Sequence, residues 1–265
     1  MRRRFFVERF DGSSAVLRGE AAHHLGRVLR AQPGQLYELS DGAAVWLART
    51  ERVSRDAVEF SLLEPLPVRQ PRLHLTLLLA IVKFDRFEWS LEKATELGVA
   101  EVVPLAAARS EKALVAAAAK RAARWQKILL ESAQQARRLR PPFLLPLARP
   151  REAFQKVQAA TKLLLSERPE APRLRRALEP MGRVGGRSFS SDVAGASSEA
   201  SAPEATSSEV TSAVLAVGPE GGWTDGELLA AREAGFTEAS LGEHILRAET
   251  AVVAALASLN YALGD

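Results

Sequence analysis

The chain has 265 residues, of which 47% are hydrophobic, and a formal net charge of +4 with a sequence pI near 9.7. This composition is typical of a globular protein with room for one large domain or two smaller ones, and no apolar run is long enough to cross a membrane. The absence of cysteine excludes disulfides and thiolate zinc sites, so we expect a cytoplasmic protein without a metal centre.

Residues 1–70 are predicted to form short strands separated by turns, with one helix over 21–29. Asp-Gly and Pro-Gly pairs supply the turns, as in β-hairpins. The predicted strands are 4–7, 15–17, 35–39, 44–50 and 57–63. This pattern indicates a small β-barrel-like domain, and the prolines at 65, 67 and 71 predict a stiff linker after it.

Residues 71–265 alternate between strand and helix, which is typical of a mostly parallel sheet with helices on its faces. Asp85 is predicted to cap the first helix, with Glu88 at its third position, and Gly98 to end it. The predicted strands are 73–82, 102–105, 162–165, 213–217 and 239–241, and the other helices are 116–138, 224–235 and 249–262.

Residues 182–212 are rich in Ser, Ala, Gly and Glu and contain almost no large apolar side chains. Such a segment buries too little surface to offset the loss of chain entropy on folding. We therefore predict a disordered insertion, peripheral to the chemistry of the protein.

A glycine-rich loop, Gly218-Pro219-Glu220-Gly221-Gly222, follows the apolar strand 213–217. Thr224 and Glu227 form a capping-box pattern, which predicts that a helix starts directly after the loop. Strand, glycine-rich loop and helix in this order place backbone N–H groups at the edge of a sheet where open α/β proteins bind ligands. An ordinary turn between strand and helix remains the alternative.

A second glycine-bearing segment, residues 241–251, again connects a short strand to a helix. Parallel strands place their carboxyl ends side by side, so this loop and the first one are predicted to hold one ligand between them. The alternative is that Ile245 and Leu246 are core residues while Arg247 and Glu249 are surface charges.

Together these segments resemble the RsmE family of 16S ribosomal RNA uridine N3-methyltransferases, within the SPOUT superfamily. The resemblance covers nearly the whole chain. Its strongest motifs are 218–222 and 245–251; others are 24–30, Lys83, Glu88, Trp89, 92–99, 125–128, 134–138 and Pro142. Gln134 stands where the family usually has Glu, and the 182–212 insertion is longer than the family's connection.

The resemblance implies an α/β fold with two domains: a PUA-like RNA-binding β-barrel over 1–70, and a SPOUT methyltransferase domain with a deep trefoil knot over 71–265. It also implies S-adenosylmethionine as the methyl donor, a homodimer, and 16S ribosomal RNA of the small subunit as the partner. Two rivals remain: another SPOUT enzyme, such as a tRNA ribose methyltransferase, or a non-catalytic ribosome-binding protein.

The site residues expected on this basis fall into three groups. The cofactor would be bound by Leu165, Ser166, Glu167, Gly218, Pro219, Glu220, Gly221, Gly222, Leu241, Gly242, Ile245 and Leu246. Arg138 and Arg247 are the catalytic candidates, because an always-charged guanidinium suits negative charge that develops on a uracil ring. RNA-backbone contacts are expected from the basic residues Arg2, Arg3, Arg4, Arg27, Arg30 and Arg137. No residue is assigned as general base.

Overall fold

The computed structural model describes residues 3–68, 70–178 and 210–264. Most of the predicted insertion, and Arg2 among the expected RNA contacts, lie outside these residues. The last part of the insertion was predicted wrongly, because Thr211 and Ser212 already belong to a strand of the core. That strand pairs along its whole length with a neighbour, which accounts for its earlier start.

The N-terminal sheet has five strands in the order β1-β3-β4-β5-β2. Its strands are β1 (Arg4–Phe6), β2 (Ser14–Arg18), β3 (Leu36–Ser40), β4 (Val45–Val53) and β5 (Ala57–Leu66). Between β2 and β3, the short helix α1 (Gly19–His23) runs on into a π-helical turn, His24–Val28. The sheet curves as a half-barrel around a core that includes Phe5, Leu25 and Phe60.

The predicted linker begins too early, because Pro65 is still part of β5, where it lies opposite Trp46 of β4. Proline is tolerated there because a β-bulge interrupts the pairing of the two strands close by. The strand ends at Leu66, one residue before Pro67.

The C-terminal sheet has six strands, all parallel, in the order β11-β9-β10-β6-β7-β8. Its strands are β6 (Leu73–Ala80), β7 (Val99–Leu105), β8 (Phe143–Leu144), β9 (Thr161–Leu165), β10 (Thr211–Val217) and β11 (Thr237–Ala239). Its helices are α2 (Phe84–Glu96), α3 (Lys112–Gln135), α4 (Pro150–Lys156), α5 (Leu174–Leu178), α6 (Asp225–Glu233) and α7 (Ala248–Leu263).

Both faces of this sheet are covered, which explains why β6 is apolar without interruption. Leu75, Leu77 and Leu79 face a core shared with α2, α3 and α7, whereas Leu78 and Ala80 face one shared with α4 and α6. Alternate residues of one strand therefore fill two separate cores. Helices on both sides of a parallel sheet confirm the α/β architecture predicted from the sequence.

The start of α2 differs from the prediction. The helix begins at Phe84, Lys83 occupies the N-cap position, and no side chain caps the first turn. Asp85 is therefore inside the helix, where it places a negative charge in the first turn instead of a capping oxygen. The capping box of α6 is confirmed: the Thr224 side chain accepts from the Glu227 N–H, and the Glu227 carboxylate accepts from the Thr224 N–H.

Buried polar contacts join the two sheets. The Arg4 guanidinium pairs with Glu38 and also donates to the Arg137 carbonyl at 2.6 Å. The Ser40 hydroxyl donates to the Leu139 carbonyl at 2.7 Å. The segment that follows α3 is thus hydrogen-bonded to both β1 and β3, which fixes the N-terminal sheet against the C-terminal one.

Within the three described ranges, no helix combines the length and the hydropathy needed to span a membrane. The same residues contain no cluster of three or more His, Cys, Asp or Glu that could hold a metal ion.

Candidate active site

The carboxyl ends of β9, β10 and β11 meet at one edge of the parallel sheet, because β9 lies between the other two. The loops that leave these strands enclose a cavity of about 580 Å³. Both glycine-bearing loops contribute to its walls, as do the residues directly after β9. The two loops therefore face one common space, as the sequence predicted.

Glycine is required in the first loop for steric reasons. A Cβ atom on Gly218 would lie 3.0 Å from the buried indole of Trp223, and one on Gly221 would lie 3.2 Å from the Cβ of Arg109. Gly222 has a φ of +69°, a left-handed conformation that disfavours other residues. The loop backbone thus approaches its surroundings too closely, and turns too sharply, for side chains at these positions.

Two side chains hold this loop in place. The Trp223 indole N–H donates to the Leu165 carbonyl at 2.9 Å, which ties the loop to the end of β9. The Arg109 guanidinium donates to the carbonyls of Gly221 at 2.8 Å and Trp223 at 3.1 Å. Arg109 lies more than a hundred residues away in the sequence, and no local motif indicates its role.

The second loop forms the opposite wall. Gly242 has a φ of +146°, again in the region that glycine adopts readily. Ile245 lines the cavity with 79% of its surface exposed. An apolar side chain this exposed beside a backbone-lined cavity offers a surface for a flat apolar group of a ligand.

All twelve residues expected to bind a cofactor line this cavity. Of the two catalytic candidates, Arg247 lines it as well. The alternative interpretation, in which Ile245 and Leu246 would be core residues, is wrong for Ile245, because its side chain is exposed.

Arg138 is not among the residues that line the cavity. Its guanidinium donates to the carbonyls of Thr95, Gly98 and Val99, at 2.9, 3.3 and 2.5 Å. Burial lowers the pKa of Arg138 from its usual value to about 10, so the group stays charged near neutral pH. It hydrogen-bonds the last turn of α2 through Thr95 and the start of β7 through Gly98 and Val99. A cation is stabilising at the C-terminal end of a helix.

The expected RNA contacts also separate into two groups. Arg3, Arg27 and Arg30 are exposed on the N-terminal domain. Arg4 is largely buried in its ion pair with Glu38, and Arg137 lies 3.5 Å from the same carboxylate. The sequence could not distinguish these groups, because the pairing partner Glu38 is a neighbour only in the folded chain.

One further cation at the cavity was not predicted from the sequence. Arg86, in the first turn of α2, lines the cavity and contacts the Glu220 carboxylate of the first loop through Nη1. Its Nε lies 3.8 Å from Glu249 of α7. Arg86 thus connects three separate elements at the wall of the site.

Residues 69–260 match the family model of the RNA methyltransferase domain. This is the class of protein that the parallel sheet and its strand-end cavity define. The chain is 33% identical to a ribosomal RNA small subunit methyltransferase E from Synechocystis, over 96% of this chain and 75% of the relative. It is 27% identical to the protein of that name from Bacillus subtilis, over 97% and 96%.

A crystal structure of a ribosomal RNA small subunit methyltransferase E from Neisseria gonorrhoeae, bound to S-adenosyl methionine, superposes with a TM-score of 0.78. It is 30% identical, and the match covers 98% of each chain. The chain therefore belongs to the RsmE family of ribosomal RNA small subunit methyltransferases.

Proposed function

We propose that this protein transfers a methyl group from S-adenosylmethionine to N3 of a specific uridine in 16S ribosomal RNA. Membership of the RsmE family supports the reaction class, and the names of the relatives support the small-subunit RNA as substrate. The observation that carries the proposal is the single cavity between the two glycine loops. A cytoplasmic location follows from this substrate.

The cavity suits S-adenosylmethionine in size and chemistry. Its volume of about 580 Å³ lies within the range of small-molecule sites. We propose that Gly218, Gly221 and Gly222 let the loop backbone approach the ligand on one side, while Leu241, Ile245 and Leu246 form an apolar wall on the other. Leu165, Ser166 and Glu167 would contact its outer edge. When bound, S-adenosylmethionine supplies a methyl group activated by its attachment to a sulfonium.

The chain's own contribution to the reaction is orientation and charge stabilisation. The uracil N3 proton must leave, so negative charge spreads onto O2 and O4 of the ring. Arg247 lies at the cavity and suits this charge. Arg138 is not proposed for this role, because its guanidinium donors are directed at the end of α2.

RNA would reach the cavity across a basic surface. Arg3, Arg27 and Arg30 are exposed on the N-terminal domain. The exposed residues Lys112, Lys120, Arg124 and Lys127 lie along α3. Such contacts position an RNA backbone without reading its sequence. Selection of the target uridine then depends on which base this surface presents to the cavity.

The finer fold assignments are part of the proposal. The half-barrel of β1–β5 supports a PUA-like RNA-binding domain over 1–70, and the parallel sheet supports a SPOUT domain over 71–265. Ser240, just after β11, is hydrogen-bonded to Pro172 and Leu174 of the connection that leaves β9. The chain then returns to pack α7 against α2. This close passage of two connections supports the trefoil knot.

We further propose a homodimer, with α7 at the interface. From the sequence, Val252, Val253, Leu256 and Leu259 make this helix more apolar than one domain face requires. Val252, Leu256 and Leu259 are fully buried in the chain's own core, whereas Val253 is partly exposed. The outward side instead presents Ala257 and Tyr261, and Tyr261 is 87% exposed. An aromatic residue this exposed beside small residues suits a two-fold contact.

The test of the function uses small ribosomal subunits from a strain that lacks this enzyme. Incubation with the purified protein and S-adenosylmethionine should produce one N3-methyluridine, identified by mass mapping of 16S RNA fragments and nucleosides. Methylation of a ribose or of tRNA would favour another SPOUT activity. Failure of calorimetry to detect S-adenosylmethionine binding would favour a non-catalytic ribosome-binding protein.

A further inference from the structure

Four arginines line the cavity, and their partners distinguish them. Arg109 is engaged with the carbonyls of the first loop. Arg168 is paired with Glu170 and Asp225 on the outer side. Arg247 is exposed and forms no ion pair with another described residue. Arg86 differs from all three, because it contacts two carboxylates and still has guanidinium N–H groups without a hydrogen-bond partner among the described residues.

The hold on Arg86 comes from two carboxylates on different elements. Nη1 contacts Glu220 in the first loop, and Nε lies 3.8 Å from Glu249 in the first turn of α7. The side chain is only 24% exposed. A guanidinium has five N–H donors in a rigid plane. Within the described parts of the chain, the Nη2 amino group of Arg86 has no hydrogen-bond partner.

Glu249 is fitted to a positioning role. Its side chain is 16% exposed, and its Oε2 atom is buried without a hydrogen-bond partner among the described residues. A buried carboxylate without full hydrogen bonding is costly unless a cation compensates it. Arg86 is the cation that the structure places beside it. The charge of Glu249 therefore favours the position of Arg86 at the cavity wall.

We propose that Arg86 is a second catalytic residue, which stabilises the uracil anion together with Arg247, and that Glu220 and Glu249 position it. This inference rests on the methyl transfer to uridine N3 proposed above. A fixed cation with unused N–H donors at a cavity wall is the arrangement that stabilises developing negative charge most effectively, because no reorganisation is needed during the reaction.

The step balances without a further reactant. The N3 proton leaves to solvent, and the resulting negative charge on O2 or O4 is neutralised by the Arg86 N–H donors. The N3 electron pair then forms a bond to the methyl carbon, while the methyl–sulfur bond breaks and its electron pair stays on sulfur. The anion and the sulfonium thereby become two neutral products, and Arg86 is left as it began.

The remaining charged groups at the cavity do not duplicate this arrangement. Glu167, Glu243 and His244, on the other walls, are exposed. Glu243 is paired with Arg173. Among the carboxylates of the described residues, Glu220 and Glu249 are those that form ion pairs with Arg86.

The test compares Arg86→Gln with Arg232→Gln in single-turnover methylation at saturating RNA, across a range of pH. Arg232 is a matched control, since it lies on α6, forms a surface ion pair with Glu238 of β11 and does not line the cavity. Arg86→Gln should lower the rate by about 10²-fold, as for loss of an oxyanion donor. Because the anion loses its cation, the rising limb of the rate profile should also move to higher pH, by about one unit or more.

A purely structural role of Arg86 predicts a different result. If Arg86→Gln lowered the rate equally at every pH, without displacing the profile, the proposal would be overturned. Calorimetry should show that Arg86→Gln still binds S-adenosylmethionine, and loss of that binding would count equally against a role in the chemical step. Where the Gln variant does not fold, Arg86→Met, which also lacks the charge, is used; its profile should shift in the same direction, and a wild-type profile would overturn the idea.

The variant Glu249→Gln tests whether Glu249 positions Arg86. It keeps the size of the side chain but removes the charge that holds Arg86, so we expect a smaller loss of rate, of about tenfold. An unchanged rate would show that Glu249 does not position Arg86. A wild-type enzyme that forms no N3-methyluridine would instead refute the proposed function, independently of these variants.

Discussion

Arg4 and Glu38 form an ion pair that is shielded from solvent, with Arg4 Nη2 at 2.9 Å from Glu38 Oε2 and side-chain exposures of 13% and 9%. The same guanidinium donates to the backbone of residues 137 and 138 in the C-terminal domain. An arginine that the sequence suggested as an RNA contact thus joins the N-terminal sheet to the segment that follows α3.

Arg4→Ala is expected to destabilise the protein, because it leaves the Glu38 carboxylate buried with only the more distant Arg137. Breaking a buried pair in this way costs about 3 kcal/mol. Urea denaturation at neutral pH measures the loss. Arg3→Ala is the control, because Arg3 is the neighbouring residue and its side chain is exposed. This substitution should change the free energy of unfolding by less than about 0.5 kcal/mol. Equal losses for both variants would contradict the prediction.

Arg138→Ala is expected to lower stability and not the chemical step. The carbonyls of Thr95, Gly98 and Val99 lose a charged donor, for which we expect a loss of about 2 to 3 kcal/mol. Thermal unfolding gives the stability, and single-turnover rates at saturating RNA give the chemistry. A folded Arg138→Ala enzyme whose rate fell by about 10²-fold would restore the catalytic role expected from the sequence.

Gly222→Ala should weaken the binding of S-adenosylmethionine by tenfold or more, because it strains a left-handed backbone in a loop that lines the cavity. Gly235 offers a matched control, since its φ of +83° is similar and no atom lies within 4 Å of an added Cβ. Both changes should cost about 1 to 2 kcal/mol of stability. Calorimetry should detect weaker binding only for Gly222→Ala, and equal affinities would remove the first loop from the site.

Tyr261→Glu should convert a dimer into monomers, because it places a charge on the outward side of α7. Light scattering at micromolar concentration measures the mass. The control is Leu229→Glu, which adds the same charge at an apolar residue on α6 that is 54% exposed. A monomeric wild-type protein would show that there is no dimer. A dimeric Tyr261→Glu variant would show that the interface lies elsewhere.

Arg27→Ala should weaken RNA binding and reduce its salt dependence. Each phosphate contact removed lowers the slope of log K against log salt by about 0.7 to 0.9. Filter binding over a salt series measures that slope. Arg55→Ala, another exposed arginine of the N-terminal domain, tests whether the effect is local. An identical slope for wild type and Arg27→Ala would mean that this residue does not contact the backbone.

Much of the fold was predictable because its signals are local. The apolar strand before Gly218, the capping box of Thr224 and Glu227, and the closing helix all follow from neighbouring residues, and the structure confirms them. The short elements β8, α4 and α5 were missed, since segments of two to seven residues carry too little periodicity.

The roles of individual arginines were less predictable than the strands and loops. Arg4, Arg138 and Arg109 act on partners that are 34 to 134 residues away. A basic residue has the same sequence signature whether it binds RNA, caps a helix end or supports a loop. Tertiary contacts decide between these roles, and no local spacing encodes them.

Trp223, whose indole is hydrogen-bonded to the end of β9, has a consequence for spectroscopy. It is the one tryptophan of the chain's four that lines the cavity. Trp46, Trp89 and Trp125 belong to other parts of the two domains. Replacing those three with phenylalanine would leave a protein whose ultraviolet emission arises beside the bound ligand. Occupancy of the site could then be followed optically, in real time and without a label.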